Sequence, residues 1–224
     1  MNKNKFELSL RHRANYKEPI DQKHQNFLKG INDLILPWNF KELDEIPDIG
    51  KELVAVINLN KLFKKGINGY LSYSYRDKSY LKDNAQYDDI LILEFDPDVL
   101  DYSDLIKKIL PIFIKAFNCY RATIQNIEIA NKDWPLIIQK CNESGVDVDG
   151  RDGVFRINSV NYYDEELCQR AFNLTTDQVI NRLKDEVESV YKTARGVVII
   201  YSSQLLSQDD MLAIDSKIRS LLKI

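Results

Sequence analysis

The sequence predicts an α+β fold, a mixed and mainly antiparallel sheet covered by amphipathic helices. Three observations predict it. Apolar–polar alternation, the period of a half-buried strand, recurs at residues 6–11 and 69–76. Two helices announce their starts with capping residues, Thr175 and Ser207. The elements run strand, helix, several strands, helix, then strand, helix, strand, helix. That order lacks the regular strand–helix alternation of a doubly wound sheet.

The first strand is Phe6-Glu7-Leu8-Ser9-Leu10-Arg11. Pro19 opens a helical pattern over 19–36, with Ile20, Phe27, Ile31, Leu34 and Ile35 on one face, that stops before Pro37. Residues 37–51 have two prolines and no period, and read as a loop. Strands are expected at 53–59, 69–76 and 90–95, the last apolar on both faces as a central strand is. Leu105, Ile106, Ile109, Leu110, Phe113 and Phe117 recur at helical spacing over 103–118, where Pro111 must kink or split the helix. Residues 122–129 read as a strand and 134–141 as a short helix. Gly145, Gly150 and Gly153 stand among Asp, Asn and Ser, so 142–153 reads as a loop and as the place for a sub-domain boundary in what is otherwise one domain over 1–224.

The last third is expected to hold a strand at 154–160 and a helix at 164–172. A second helix, at 176–195, starts at the capping box Thr175-x-x-Gln178 and stops before Gly196 in the left-handed C′ position. A strand at 197–201 and a final helix at 207–222 complete the chain. The final helix is capped by Ser207, with Leu206 and Met211 as a hydrophobic staple.

With 44% hydrophobic and 29% charged residues, the chain of 224 residues can bury a sizeable core. A net charge of −3 argues against nucleic acid as a partner, which favours a basic face. Cys119, Cys141 and Cys168 are widely spaced with no C-x-x-C pair, and read as buried thiols in a reducing compartment. Residues 1–10 lack the apolar core of a secretory signal, and runs such as 90–93 are too short to span a membrane. The expected setting is cytoplasmic, with no membrane association.

Candidate chemistry is sparse. Asp147-Val148-Asp149-Gly150 imitates the paired carboxylates of haloacid dehalogenase-type phosphatases, but a turn precedes it rather than a strand. It fails as a calcium loop because Asp152 stands where glycine is required. Glu94, Asp96 and Asp98 follow a central strand, yet the lysine of a nuclease Glu-x-Lys is missing. His12 and His24 lie in no motif, and no glycine-rich phosphate loop appears. No catalytic residue, metal ligand or cofactor site is therefore assigned, and the chain is read as a non-enzyme. Two alternatives stand beside that reading. One is an enzyme with a carboxylate-based, metal-dependent site drawn from Glu94, Asp96 and His12. The other is an assembly module that homo-oligomerises through a sheet edge.

Charge segregation stands out. Asp83, Asp88, Asp89, Glu94, Asp96, Asp98, Asp101 and Asp104 run without a Lys or Arg between them. Tyr80 and Tyr87 lie beside this run. Acid around an aromatic anchor suits a basic partner, because charge steers the encounter and tyrosine supplies contact area. Tyr80, Tyr87, Asp88, Asp89, Glu94, Asp96 and Asp98 are the expected partner-binding residues.

Phe6-Glu7-Leu8-Ser9-Leu10-Arg11-His12-Arg13-Ala14 is similar to the first strand of immunity proteins encoded beside bacterial polymorphic and type VI secreted toxins. The block from Val154-Phe155-Arg156-Ile157 through Tyr162-Tyr163-Asp164 to Ala171-Phe172 resembles a segment of such proteins as well. The resemblance covers under a third of the chain and contains no catalytic motif. It implies a cytosolic protein that binds a cognate toxin and neutralises it. It assigns no binding residue.

Overall fold

A computed structural model of the chain describes residues 5–41, 43 and 53–224. Most of the expected loop at 37–51 lies outside them. The strands are β1 (Phe6–Arg13), β2 (Val54–Asn58), β3 (Ile67–Ser74), β4 (Asp88–Phe95), β5 (Arg121–Asn126), β6 (Val160–Asp164), β7 (Ser189–Thr193) and β8 (Gly196–Ile200). They form one sheet in the order β2-β3-β4-β1-β5-β6-β8-β7. Each pairing in it is antiparallel. The α+β class is therefore as expected, with no parallel pair among the described strands. The β5–β6 pairing carries the sheet across 142–153.

The α-helices are α1 (Ile20–Ile31), α2 (Tyr102–Asp104), α3 (Leu110–Phe117), α4 (Ile127–Ser144), α5 (Glu165–Phe172), α6 (Thr176–Leu183) and α7 (Gln208–Leu222). Pro111 splits the expected helix in a specific way. A π-helical turn at Leu105–Ile109 joins α2 to α3, and the proline sits in the first turn of α3. There it lacks only an N–H that the wider turn does not need.

Side-chain alternation shows how the layers stack. Leu8 and Leu10 of β1, Leu91 and Leu93 of β4 and Tyr162 of β6 join one core with α1 and α3. Tyr163, next along β6, joins a second core with α5, α6 and α7. Adjacent strand residues point to opposite faces. The two sets of helices therefore cover opposite faces of the sheet, and the first core also reaches across β6 and β8 through Tyr162, Val198 and Ile200. One quadrant remains, the outer face of β2-β3-β4-β1-β5, where among the described helices α4 forms the border.

Several boundaries differ from expectation, each for a physical reason. Residues 122–129 are not one strand: Asn126 caps α4, accepting from the Glu128 and Ile129 amides at 2.9 and 3.1 Å. Instead of a short helix at 134–141, α4 runs to Ser144 and ends at Gly145 with φ of +68°. Residues 154–159 form no strand because side chains satisfy their backbone. Asp149 accepts from Phe155 N at 3.1 Å, Asp215 accepts from Ile157 N at 2.8 Å, and Arg219 donates to the Val154 carbonyl at 2.7 Å.

The helix expected at 176–195 ends at Leu183, although its capping box is present. Val190, Tyr191 and Thr193 instead pair with β8. Ladder pairing outweighs the helix propensity of 184–188. Gly196 therefore caps no helix. A Cβ there would lie 2.1 Å from the Tyr163 carbonyl oxygen, so the glycine serves close pairing with β6.

Glu188 ties the start of β7 to two neighbours. Its carboxylate accepts from Ser203 N and Oγ, both at 2.6 Å, and pairs with Lys107 of the π turn at 2.9 Å. The Ser203 hydrogen bonds and Lys107 hold its carboxyl down, from 4.5 to about 2. A carboxyl lowered by folding stabilises the fold above its unfolded pKa and loses that contribution as pH falls toward the folded one. Melting curves of wild type and Glu188→Gln are therefore expected to differ above pH 4.5 and to converge toward pH 2. A constant difference across that window would contradict the assignment.

Candidate functional site

The acidic run is not one surface. Asp88 and Asp89 are 2% and 0% exposed, so neither can form the contact surface expected of them. Arg76 grips Asp89 with two bonds, at 2.8 and 2.6 Å. Asp88 accepts from Arg151 Nε at 2.8 Å and Tyr120 Oη at 2.5 Å, with Arg11 at 3.9 Å. Burial raises the Asp88 carboxyl against the pull of Arg151 and Arg11. Partners for these acids were invisible locally because they arrive from far along the chain, Arg151 above all.

The other residues of the run separate. Asp96 is buried and caps a 3-10 turn at Pro97–Val99 by accepting from Asp98 N at 3.1 Å, while Asp98 is exposed in that turn. Glu94 is half-buried on the outer face of β4. Tyr80 and Tyr87 are half-buried and meet edge to face, ring centroids 5.0 Å apart, with Tyr75 6.2 Å from Tyr80. His12 lies on the opposite sheet face from Glu94. Its Nδ1 is 2.8 Å from the Asn118 carbonyl oxygen and its Nε2 is 3.1 Å from Glu18 Oε2. Glu94, Asp96 and His12 are thus not brought together. Among the described residues, no group of three His, Cys, Asp or Glu is placed to hold a metal ion.

Asp147 and Asp149 hold the 147–153 turn. Asp147 Oδ2 accepts from Ala85 N at 2.9 Å, and Asp149 Oδ1 accepts from Arg121 Nη2 at 2.7 Å. From there an ion-pair chain runs outward: Arg151 reaches Asp83 at 3.3 Å, and Arg170 reaches Asp83 at 3.1 Å, Asp152 at 3.0 Å and Glu166 at 2.7 Å. Cys119 and Cys168 are buried as expected, and burial pushes the Cys168 thiol up to about 12. Cys141 is only half-buried, on α4.

The uncovered quadrant holds a cleft that the sequence did not single out. Its floor is the outer face of β1, β3, β4 and β5, and its wall is α4. It has two lobes that share Arg11, Ile90, Trp134, Ile137 and Asp149, one of about 290 Å³ and one of about 560 Å³. A bidentate pair fixes the wall, with Arg156 Nη2 2.7 Å from Asp133 Oδ1 and Arg156 Nε on Oδ2. On the floor, Gln125 donates to Glu7 Oε1 at 2.9 Å. Burial, with Glu94 adding to it, raises the Glu7 carboxyl despite that bond and Arg11. Trp134 is 60% exposed and Tyr70 41%, and both line the smaller lobe. Val54 and Val56 continue the outer face on the exposed edge strand β2.

A floor of Arg, Glu, Ser and Thr beneath exposed aromatic side chains is equipped to bind: aromatic area for contact, fixed donors and acceptors for register. The signal the sequence offered is the apolar stripe Ala130, Trp134, Ile137 and Cys141 at helical spacing, which faces the cleft.

Neither a family model nor a curated protein matches this chain. Among solved structures, the Pseudomonas aeruginosa T6SS protein PA0821 superposes with a TM-score of 0.51 and 11% identity, over 98% of this chain and 72% of that one. The likeness is one of fold. Among the described residues, no helix is long and apolar enough to cross a membrane.

Proposed function

We propose that this chain is a non-catalytic binding protein that neutralises a cognate secreted bacterial toxin, in the manner of an immunity protein. It engages its partner with the open quadrant of the sheet and α4. The observation that carries this reading is the exposure of Trp134 and Tyr70 on one cleft whose floor is polar and fixed. Exposed Trp and Tyr around a preformed groove are the residues that dominate binding energy in protein interfaces. The fold shared with a T6SS protein supports a place in secretion-system biology, and so does the resemblance of β1 and the 154–172 block to immunity proteins. The acids of 83–104 are left mostly to structural work, with Tyr80, Tyr87 and Asp98 outside the proposed contact.

The test uses the product of a neighbouring toxin-like reading frame as the partner. Trp134→Ala is expected to lose at least about 2 kcal/mol of binding, roughly 30-fold in Kd. Its melting curve should stay close to wild type, because the indole is mostly outside the core. Unchanged affinity in a folded Trp134→Ala protein would remove α4 from the interface.

A further inference from the structure

The outer face of β1 reads Glu7, Ser9, Arg11, and both charged residues sit beside their own kind. Glu7 is opposite Glu94 of β4, and Arg11 is opposite Arg121 of β5. Like charges directly opposite each other destabilise a sheet, and here the ladder does it at both ends. The two ends lie roughly 13 Å apart, four residues along a strand. The cleft floor is therefore polarised, acidic at one end and basic at the other.

The basic end is short of acceptors. Arg121 is only 5% exposed. Its Nη2 donates to Asp149, but its buried Nη1 makes no hydrogen bond among the described residues. A guanidinium carries five N–H donors, and a buried donor without an acceptor is costly. Arg11 shares its nearest carboxylate, because Asp88, 3.9 Å away, is also engaged by Arg151 and Tyr120. Both arginines line the same lobe, next to the hydroxyls of Ser9 and Thr123 and beneath Trp134.

We propose that the Arg11–Arg121 end of this cleft is a carboxylate-binding subsite. One planar carboxylate in this lobe lies against both guanidinium groups, adds a counter-charge to a pair held opposite each other on the ladder, and gives Arg11 a second acidic partner beside the shared Asp88. Asp88 and Asp149 flank the two arginines and disfavour a dianion, and the Glu7–Glu94 pair repels a second acid at the far end. The carboxylate can be that of a free small acid or of an acidic side chain on a protein partner. This goes beyond the toxin-binding reading and does not require it.

The experiment is an NMR titration of the isotope-labelled chain with sodium acetate, against sodium chloride at matched ionic strength. Saturable shifts are expected at Ser9, Arg11, Arg121 and Thr123. Arg11→Gln should weaken acetate binding at least tenfold, whereas Lys29→Gln, which removes the same charge from α1, should not. Arg11→Lys keeps the charge beside Asp88 and serves where Arg11→Gln does not fold; it should weaken binding at least threefold. Shifts that grow without saturation in both salts would overturn the subsite, as would unchanged binding in the Arg11 variants. Tighter binding of inorganic phosphate than of acetate would overturn its carboxylate chemistry. A second arm uses the capped peptide acetyl-Ala-Glu-Ala-amide. Saturation at a tenfold lower concentration than acetate supports an acidic side chain as the source, and weaker binding than acetate supports a free acid. Loss of toxin binding with acetate binding retained would sink the proposed function alone.

Discussion

Replacing Asp88 with alanine is expected to lower stability by about 3–5 kcal/mol, the usual consequence of stranding a buried charge. Asp88 accepts from Arg151 Nε, and it also takes the Tyr120 hydroxyl. Its removal leaves Arg151 facing Arg11 inside the fold. At roughly 2–4 °C per kcal/mol for a domain of this size, the melting temperature should fall by about 6–20 °C. Asp104→Ala is the matched control. Asp104 belongs to the same acidic run, but its partner is an exposed lysine, Lys108, at 2.8 Å in an i,i+4 pair. Such a solvent-exposed pair contributes little to stability. Chemical denaturation of the two variants checks the contrast, and a similar small loss in both would mean that the Asp88 network is not buried in solution. Lysine at 88 or 89 is expected to be at least as damaging, because it puts a further cation beside Arg151 and Arg11 in the first case and beside Arg76 in the second.

Phe27→Ala is expected to be equally severe, about 3–5 kcal/mol from lost transfer and the cavity left behind. Phe27 is fully buried on α1 and packs edge to face against Phe117 at 5.2 Å, Phe40 at 5.9 Å and Phe113 at 6.0 Å between ring centroids. These rings fasten α1 and α3 to each other over the inner face of β1 and β4. Phe27→Leu keeps most of the volume and should recover more than half of the loss. Equal destabilisation by Ala and Leu would point to edge-to-face ring contacts rather than volume as the main term.

These two sites mark what was legible in the sequence and what was not. The aromatic core was legible because Phe27, Phe113 and Phe117 recur with helical spacing, a local signal of which face is buried. The caps at Thr175 and Ser207 were legible for the same reason, since a capping residue and its target amide are two or three residues apart. Asp88 was misread because its partners Tyr120 and Arg151 are 32 and 63 residues away. A run of acids without nearby cations looks exposed when its cations come from elsewhere. Residues 184–195 were misread in the opposite sense, their local helix preference yielding to pairing with β8. The cleft was least legible. It exists because α1–α3 and α5–α7 cover opposite faces, and no single segment encodes that. Arg11 and Arg121 become neighbours only through strand pairing.

The account rests on the open quadrant being the working surface. Backbone hydrogen exchange of the chain with and without its toxin partner tests this most directly. The expected result is slowed exchange along the exposed length of α4, residues 131–144, and in β2 and β3, with α1 and the Tyr80–Tyr87 connection unchanged. Slowed exchange confined to that connection and to residues 97–104, with α4 unaffected, would contradict it.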